Sequence, residues 1–176
     1  VEHVCFASLP GMWQRTILMG GFSKAYAMTG WRIGYVAGPA EIISGLVRIH
    51  QYTVMSAPTV SQYAALEALR VGEPFVQEML QEYDRRRRLV FTRLNELGLP
   101  TVEPQGAFYA FPRVMDCGMD DETFCNRLLA EEHVAIVPGS SFGDAGAGFA
   151  RVSYAASYTQ LEMALEKIGH FLKNNC

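Results

Sequence analysis

Residues 21–35 read GFSKAYAMTGWRIGY and connect two short apolar segments. The first segment, Thr16 to Met19, is followed by a pair of glycines, and the second, Trp31 to Ala37, is followed by Gly38-Pro39. Short apolar runs bounded by glycine and proline are typical of buried strands. The residues between them, Phe22 to Gly30, are too few for the crossover helix that parallel neighbours need. We therefore predict a loop there and look for chemistry in it, because functional side chains concentrate on loops.

Lys24 lies in this predicted loop, beside Ser23 and eight positions before Arg32. Desolvation or a neighbouring cation lowers the pKa of a lysine amine and makes the amine a nucleophile toward a carbonyl. An arbitrary loop lysine is more often a solvent-facing charge. The residue types alone leave both interpretations open.

The whole stretch closely resembles the Schiff-base segment of class I/II aminotransferases, the fold-type I pyridoxal-phosphate enzymes. The match covers fifteen consecutive positions, with Lys, Gly, Arg and Gly in the family's spacing. The resemblance implies that Lys24 holds pyridoxal 5'-phosphate as a Schiff base and that Arg32 binds the cofactor phosphate. A guanidinium suits the second task because its rigid fork donates paired hydrogen bonds to phosphate oxygens. Many family members carry a hydroxyl residue three positions before the lysine, where this chain has Gly21.

A second resemblance lies near the end of the chain, where residues 148–154 read GFARVSY. This segment looks like the family's late strand, whose arginine grips the substrate α-carboxylate, and Arg151 would be that residue. The other interpretation is a strand-edge arginine that pairs with a surface acid. Residues 106–109 and 138–143 also resemble family loops that border the substrate, and both are equally compatible with structural turns.

Helical patterns follow the second apolar segment. Apolar spacing predicts helices over Ala40 to Tyr52, Thr59 to Leu69 and Glu73 to Leu97, with an interruption at Ser56-Ala57-Pro58. The rest of the chain predicts two strands within Thr101 to Val114 and a helix that starts at Asp120-Asp121 and runs to about Glu132. It then predicts a strand over Val134 to Val137, a glycine-rich loop over Pro138 to Gly148, a strand over Phe149 to Ala155, and a closing helix through Leu161, Leu165, Ile168 and Leu172.

These patterns predict an α/β chain with two parts. The family resemblance implies that residues 1–55 are the incomplete end of the large cofactor-binding domain and that residues 56–176 are the small α+β carboxy-terminal domain. The chain would then be the carboxy-terminal portion of a longer enzyme. The opening at Val1, without an initiator methionine, agrees with that expectation.

Composition excludes several function classes. The chain has 15 basic and 18 acidic residues and a formal net charge of −3, so it has no excess of positive charge for nucleic acid or an anionic membrane. In the run Arg85 to Arg88, Glu82 lies four positions before Arg86 and Asp84 four before Arg88, which predicts a solvated helix face.

Four cysteines without C-x-x-C spacing predict unpaired thiols and no metal. No apolar stretch reaches the length of a membrane span, and no signal peptide is recognisable, so we expect a cytoplasmic location.

The resemblance implies transamination between an L-amino acid, such as aspartate or an aromatic amino acid, and a 2-oxo acid such as 2-oxoglutarate. A homodimer is expected for the full-length enzyme. The isolated 176-residue chain is expected to be inactive, because the family's other cofactor ligands precede the lysine. Two alternatives stay open: a carbon–sulfur lyase of the same fold, and a non-catalytic aminotransferase-like effector domain.

Overall fold

A computed structural model describes residues 3–176, which form two compact units. The first unit ends at Glu78, and the second comprises Met79–Cys176. The boundary predicted between residues 55 and 56 lies inside the first unit. A compact unit of this chain is not the same as a domain of the longer protein. The predicted domain boundary therefore stays a prediction.

The first unit contains a two-stranded antiparallel ribbon. Strand β1 is Leu18–Gly21 and strand β2 is Gly34–Ala37, with Leu18 opposite Ala37 and Gly21 opposite Gly34. Both strands begin later than predicted, and they are less buried than expected: Met19 is 76% exposed. A ribbon of two strands leaves much of its surface uncovered. The prediction of buried strands is therefore wrong for the described residues.

One turn of helix, α1, occupies the start of the connection that was predicted as a loop. It spans Phe22–Ala25 and contains Lys24. Three longer helices follow, and their ends lie within two residues of the predicted ones. They are α2 at Ala40–Thr53, α3 at Thr59–Val71 and α4 at Glu73–Glu96.

The second unit is built on a three-stranded antiparallel sheet with the order β3-β5-β4. The strands are β3 at Tyr109–Ala110, β4 at Val137–Pro138 and β5 at Ala150–Ser153. Residues 101–114 form one short strand and an isolated bridge from Arg113 to Phe149, so the prediction of two strands there is wrong. Pro104 and Pro112 lack the N–H group that a longer ladder needs.

Two helices and the end of α4 enclose the core of this unit. Helix α5 spans Asp121–Glu132 and is capped by Asp120, whose side chain accepts a hydrogen bond from the Thr123 N–H at 2.7 Å. Helix α6 spans Tyr158–Asn175 and begins with a capping box of Ser157 and Gln160. The fully or nearly fully buried side chains include Val90, Leu94, Val114, Phe124, Leu128, Tyr154 and Phe171.

Two of the four cysteines overturn the prediction of unpaired thiols. Cys117 and Cys176 form a disulfide, whereas Cys5 and Cys125 are free. The sequence could not indicate the bond, because tertiary packing brings the end of α6 to residue 117.

Burial and the nearby charge of Asp121 raise the pKa of the Cys125 thiol to about 12, so this thiol stays protonated and inert. Residues 3–176 contain no cluster of three or more potential metal ligands.

The arginine run on α4 pairs with acids of the same helix, as predicted. Arg86 contacts Glu82 at 2.8 Å, and Arg88 contacts Asp84 at 2.6 Å. Arg87 is more enclosed than a solvated face implies: its side chain is 20% exposed and also binds Glu103 at 2.6 Å. The run is therefore largely neutralised by its own surroundings. No helix within residues 3–176 combines the length and apolar character needed to cross a bilayer.

Candidate functional site

The backbone that carries Lys24 is anchored through Phe22. The Phe22 N–H donates to the Ile33 carbonyl at 3.4 Å, and the Phe22 carbonyl accepts from the Met28 N–H at 3.2 Å. The Phe22 and Met28 side chains are buried together with Ala65 of α3. The Lys24 side chain is exposed. A firmly held backbone thus presents a primary amine at the surface of the first unit.

Arg32 has a left-handed backbone, with φ 50° and ψ 49°. This conformation costs a non-glycine residue about 1 kcal/mol or more, so neighbouring contacts must hold it. Two such contacts are present. The Arg32 Nη1 donates to the Thr29 carbonyl at 3.0 Å, and the buried Ser61 hydroxyl donates to the Trp31 carbonyl at 2.7 Å.

Lys24 and Arg32 therefore belong to one framework in the first unit, since the Phe22–Ile33 hydrogen bond joins their backbone segments. An amine and a guanidinium on one framework suit a ligand that carries both an aldehyde carbon and a phosphate. The donor chemistry of these two residues thus fits pyridoxal phosphate.

Gly20 matters to this framework in a way that the sequence analysis missed. It lies opposite Tyr35 in the ribbon, and a Cβ added at Gly20 would come 2.4 Å from the Tyr35 ring. The Tyr35 ring also contacts the Phe22 ring, with centroids 5.9 Å apart. Any larger residue at position 20 would therefore displace the Tyr35 ring and disturb its contact with Phe22. An antiparallel register for the two apolar segments would have indicated this contact, whereas nothing in the sequence indicated Ser61.

Arg151 lies in the second unit, on the central strand β5, where it pairs with Val137. Its guanidinium carbon is 4.5 Å from the centroid of the Tyr109 ring and 4.7 Å from that of the Phe142 ring. The side chain is half-buried. Among residues 3–176, no acid forms an ion pair with Arg151, in contrast to the other interpretation of this position.

Asp121 is a buried carboxylate that sequence reasoning treated only as part of a helix start. Its two oxygens accept hydrogen bonds from the Ser140 N–H at 2.8 Å and the Gly148 N–H at 3.2 Å. Burial opposes ionisation of this carboxyl, but the Ser140 and Gly148 hydrogen bonds outweigh burial and lower its pKa. Asp121 therefore holds both ends of residues 140–148, the segment that carries Phe142.

We expect Asp121→Asn to destabilise the protein by about 2 kcal/mol at neutral pH, because an amide cannot replace a carboxylate that accepts two backbone hydrogen bonds. The folded pKa of Asp121 lies below the unfolded value. Its contribution is thus complete above the unfolded pKa, about 4, and is lost as the pH falls through the folded value. Urea denaturation from pH 7 to pH 2 should show that the difference in unfolding free energy between variant and wild type becomes smaller at low pH. A gap that stays constant with pH would contradict this assignment.

Comparison with known proteins identifies the family. The family described as Aminotransferase class I and II matches residues 6–168. The chain is 51% identical over 175 residues to an aspartate aminotransferase of Pyrococcus abyssi, an alignment that covers 98% of this chain and 45% of that protein. It is 49% identical over 175 residues to aromatic-amino-acid aminotransferase 2 of Thermococcus litoralis, with the same coverage of 98% and 45%.

The fold agrees with these relatives. The crystal structure of an aromatic aminotransferase from Pyrococcus horikoshii matches with a TM-score of 0.95 and 50% sequence identity, covering 99% of this chain and 47% of that one. The chain thus spans less than half the length of these relatives, and the α/β fold predicted from the sequence is confirmed. By its sequence and its fold, this chain belongs to the class I and II aminotransferases.

Proposed function

We propose that the chain is the carboxy-terminal part of a pyridoxal-phosphate-dependent aminotransferase. In this proposal residues 1–55 end the large cofactor domain, and residues 56–176 are the small domain. The observation that carries the proposal is the common framework of Lys24 and Arg32, joined by the Phe22–Ile33 hydrogen bond. The relatives are about twice as long as this chain, which supports its place in a longer enzyme.

The three proposed site residues have different tasks. Pyridoxal phosphate, when bound, supplies an electron sink for the negative charge that develops at the substrate Cα. Lys24 contributes the amine that holds the cofactor covalently and that later moves a proton at the substrate Cα. Arg32 binds the phosphate through charge-assisted hydrogen bonds. Arg151 grips the substrate α-carboxylate with two parallel N–H donors, which fixes the orientation of the Cα–H bond.

We propose aspartate or an aromatic amino acid as the amino donor and 2-oxoglutarate as the acceptor. The names of two relatives, an aspartate aminotransferase and an aromatic-amino-acid aminotransferase, support this choice. A cytoplasmic homodimer is proposed from the family resemblance alone. No observation favours the lyase or the effector alternative.

An assay of the intact protein separates the enzymatic alternatives. We expect glutamate to form from 2-oxoglutarate when L-aspartate or L-phenylalanine is supplied, and no more than one equivalent of product per active site to form when 2-oxoglutarate is left out. Transamination requires the second substrate, whereas elimination does not. Release of ammonia and pyruvate from cystathionine without an oxo acid would instead support the lyase. Failure of both reactions with cofactor-saturated protein would support the effector domain.

A further inference from the structure

The Arg151 guanidinium contacts two aromatic rings that come from opposite sides of its strand. Tyr109 lies on β3, which pairs with one edge of β5. Phe142 ends the short 3₁₀ helix that directly follows β4, which pairs with the other edge. The guanidinium carbon lies over both rings, at 4.5 Å and 4.7 Å from their centroids. Each ring thus presents its face to the cation.

The N–H edge of the same guanidinium is left available. Within residues 3–176, the Arg151 side chain takes part in no hydrogen bond to an oxygen and in no ion pair; its recorded partners are the two rings. Aromatic faces attract a cation but do not use its N–H donors, which lie in the guanidinium plane. A cation held by ring faces, without a hydrogen bond or ion pair of its own, can therefore still donate two parallel hydrogen bonds to a carboxylate.

From this geometry we propose that Tyr109 and Phe142 are positioning residues that hold Arg151 ready for the substrate carboxylate. The inference rests on the proposed role of Arg151 in substrate binding. An arginine side chain has many rotamers, and immobilising it during binding weakens affinity. Two rings that fix the side chain beforehand remove part of that cost.

Both rings are themselves supported. The Phe142 ring makes an edge contact with Phe111, with centroids 6.3 Å apart, and Phe111 stacks on Phe149 at 5.5 Å. Asp121 fixes the start of the Phe142 segment through the Ser140 N–H. The Tyr109 ring contacts Phe108 at 4.6 Å. Each ring is therefore held by a second aromatic contact. It can restrict the position of the Arg151 side chain and does not simply move with it.

Phe142→Ala and Tyr109→Ala in the intact protein test this proposal. A partly desolvated cation–π contact corresponds to a change in binding of about 3- to 10-fold. We expect each variant to raise the KM for the amino donor by about that factor and to leave kcat within about twofold. Phe142→Tyr and Tyr109→Phe keep the rings and should restore the wild-type KM. Phe142 is 52% exposed, so its truncation opens no core cavity.

Tyr158→Ala is the matched control, because it removes another arginine–aromatic contact of this unit. The Arg85 guanidinium carbon lies 3.9 Å from the Tyr158 ring centroid. The control should leave KM unchanged. An equal rise in KM for this control would mean that general destabilisation causes the effect, and the inference would be wrong.

Arg151→Ala separates this inference from the proposed function. We expect Arg151→Ala to raise KM by about 100-fold or more, as for the loss of a charged bidentate contact. An unchanged KM in Arg151→Ala would overturn the proposed role of Arg151 itself. A large effect in Arg151→Ala, together with a wild-type KM in both alanine variants of the rings, would overturn the positioning role alone.

Discussion

Lys24→Ala is expected to lower kcat for amino transfer by about 10⁴-fold or more, because one amine supplies both covalent attachment of the cofactor and proton transfer. The fold should be kept. The side chain of Lys24 is exposed, and the hydrogen bonds that anchor α1 come from the Phe22 backbone. Glutamate formation by the intact protein measures the rate, and the visible absorbance of the bound cofactor reports covalent attachment.

Two further variants show whether the effect is specific to this amine. Lys24→Arg keeps the positive charge but cannot form the covalent bond, so it should be as inactive as the alanine variant. Lys173→Ala removes another exposed lysine that lies in the last turn of a helix, and it should keep wild-type activity. Turnover by Lys24→Ala near the wild-type rate would refute the assignment of Lys24.

Cys176→Ser is expected to lower the free energy of unfolding by about 4 kcal/mol under oxidising conditions. The disulfide with Cys117 spans a sequence separation of 59 residues, and closing such a long loop restricts the unfolded chain strongly. Addition of dithiothreitol should lower the urea midpoint of the wild type to that of the variant and leave the variant unchanged. In a reducing compartment the bond would be open, so the protein would have the stability of the variant there.

Cys5→Ser is the control for this measurement, because Cys5 is a free thiol of the first unit. It should unfold at the wild-type midpoint with and without the reductant. A wild-type midpoint that does not respond to dithiothreitol, or peptide mapping that finds Cys117 alkylated without reduction, would show that the bond does not form.

The helices were predictable because their signals are local. The apolar spacing of α2, α3 and α4 and the proline at each of the first two starts placed their ends within two residues. The strands were less predictable. Residues 101–114 contain aromatic and β-branched side chains, yet only Tyr109–Ala110 pair as a strand. Pairing depends on a partner that is distant in sequence, and local propensity does not supply that partner.

The residues of the candidate site also differ in whether the sequence alone could indicate them. Lys24, Arg32 and Arg151 could be named from the sequence because each lies in a dense local motif. Asp121 and Ser61 could not, because each acts through a contact with a residue that is remote along the chain. A buried aspartate at a helix start looks like an ordinary acidic residue until its hydrogen-bond partners are known.

Residues 21–35 were enough to identify the family, because the resemblance covers fifteen consecutive positions of one short segment. The division of the chain into helices also followed from its local pattern. Only the tertiary structure revealed the disulfide, the aromatic rings on Arg151 and the carboxylate that ties down residues 140–148. Each of these joins positions far apart in the sequence, and such positions meet only when burial of the core brings their elements together.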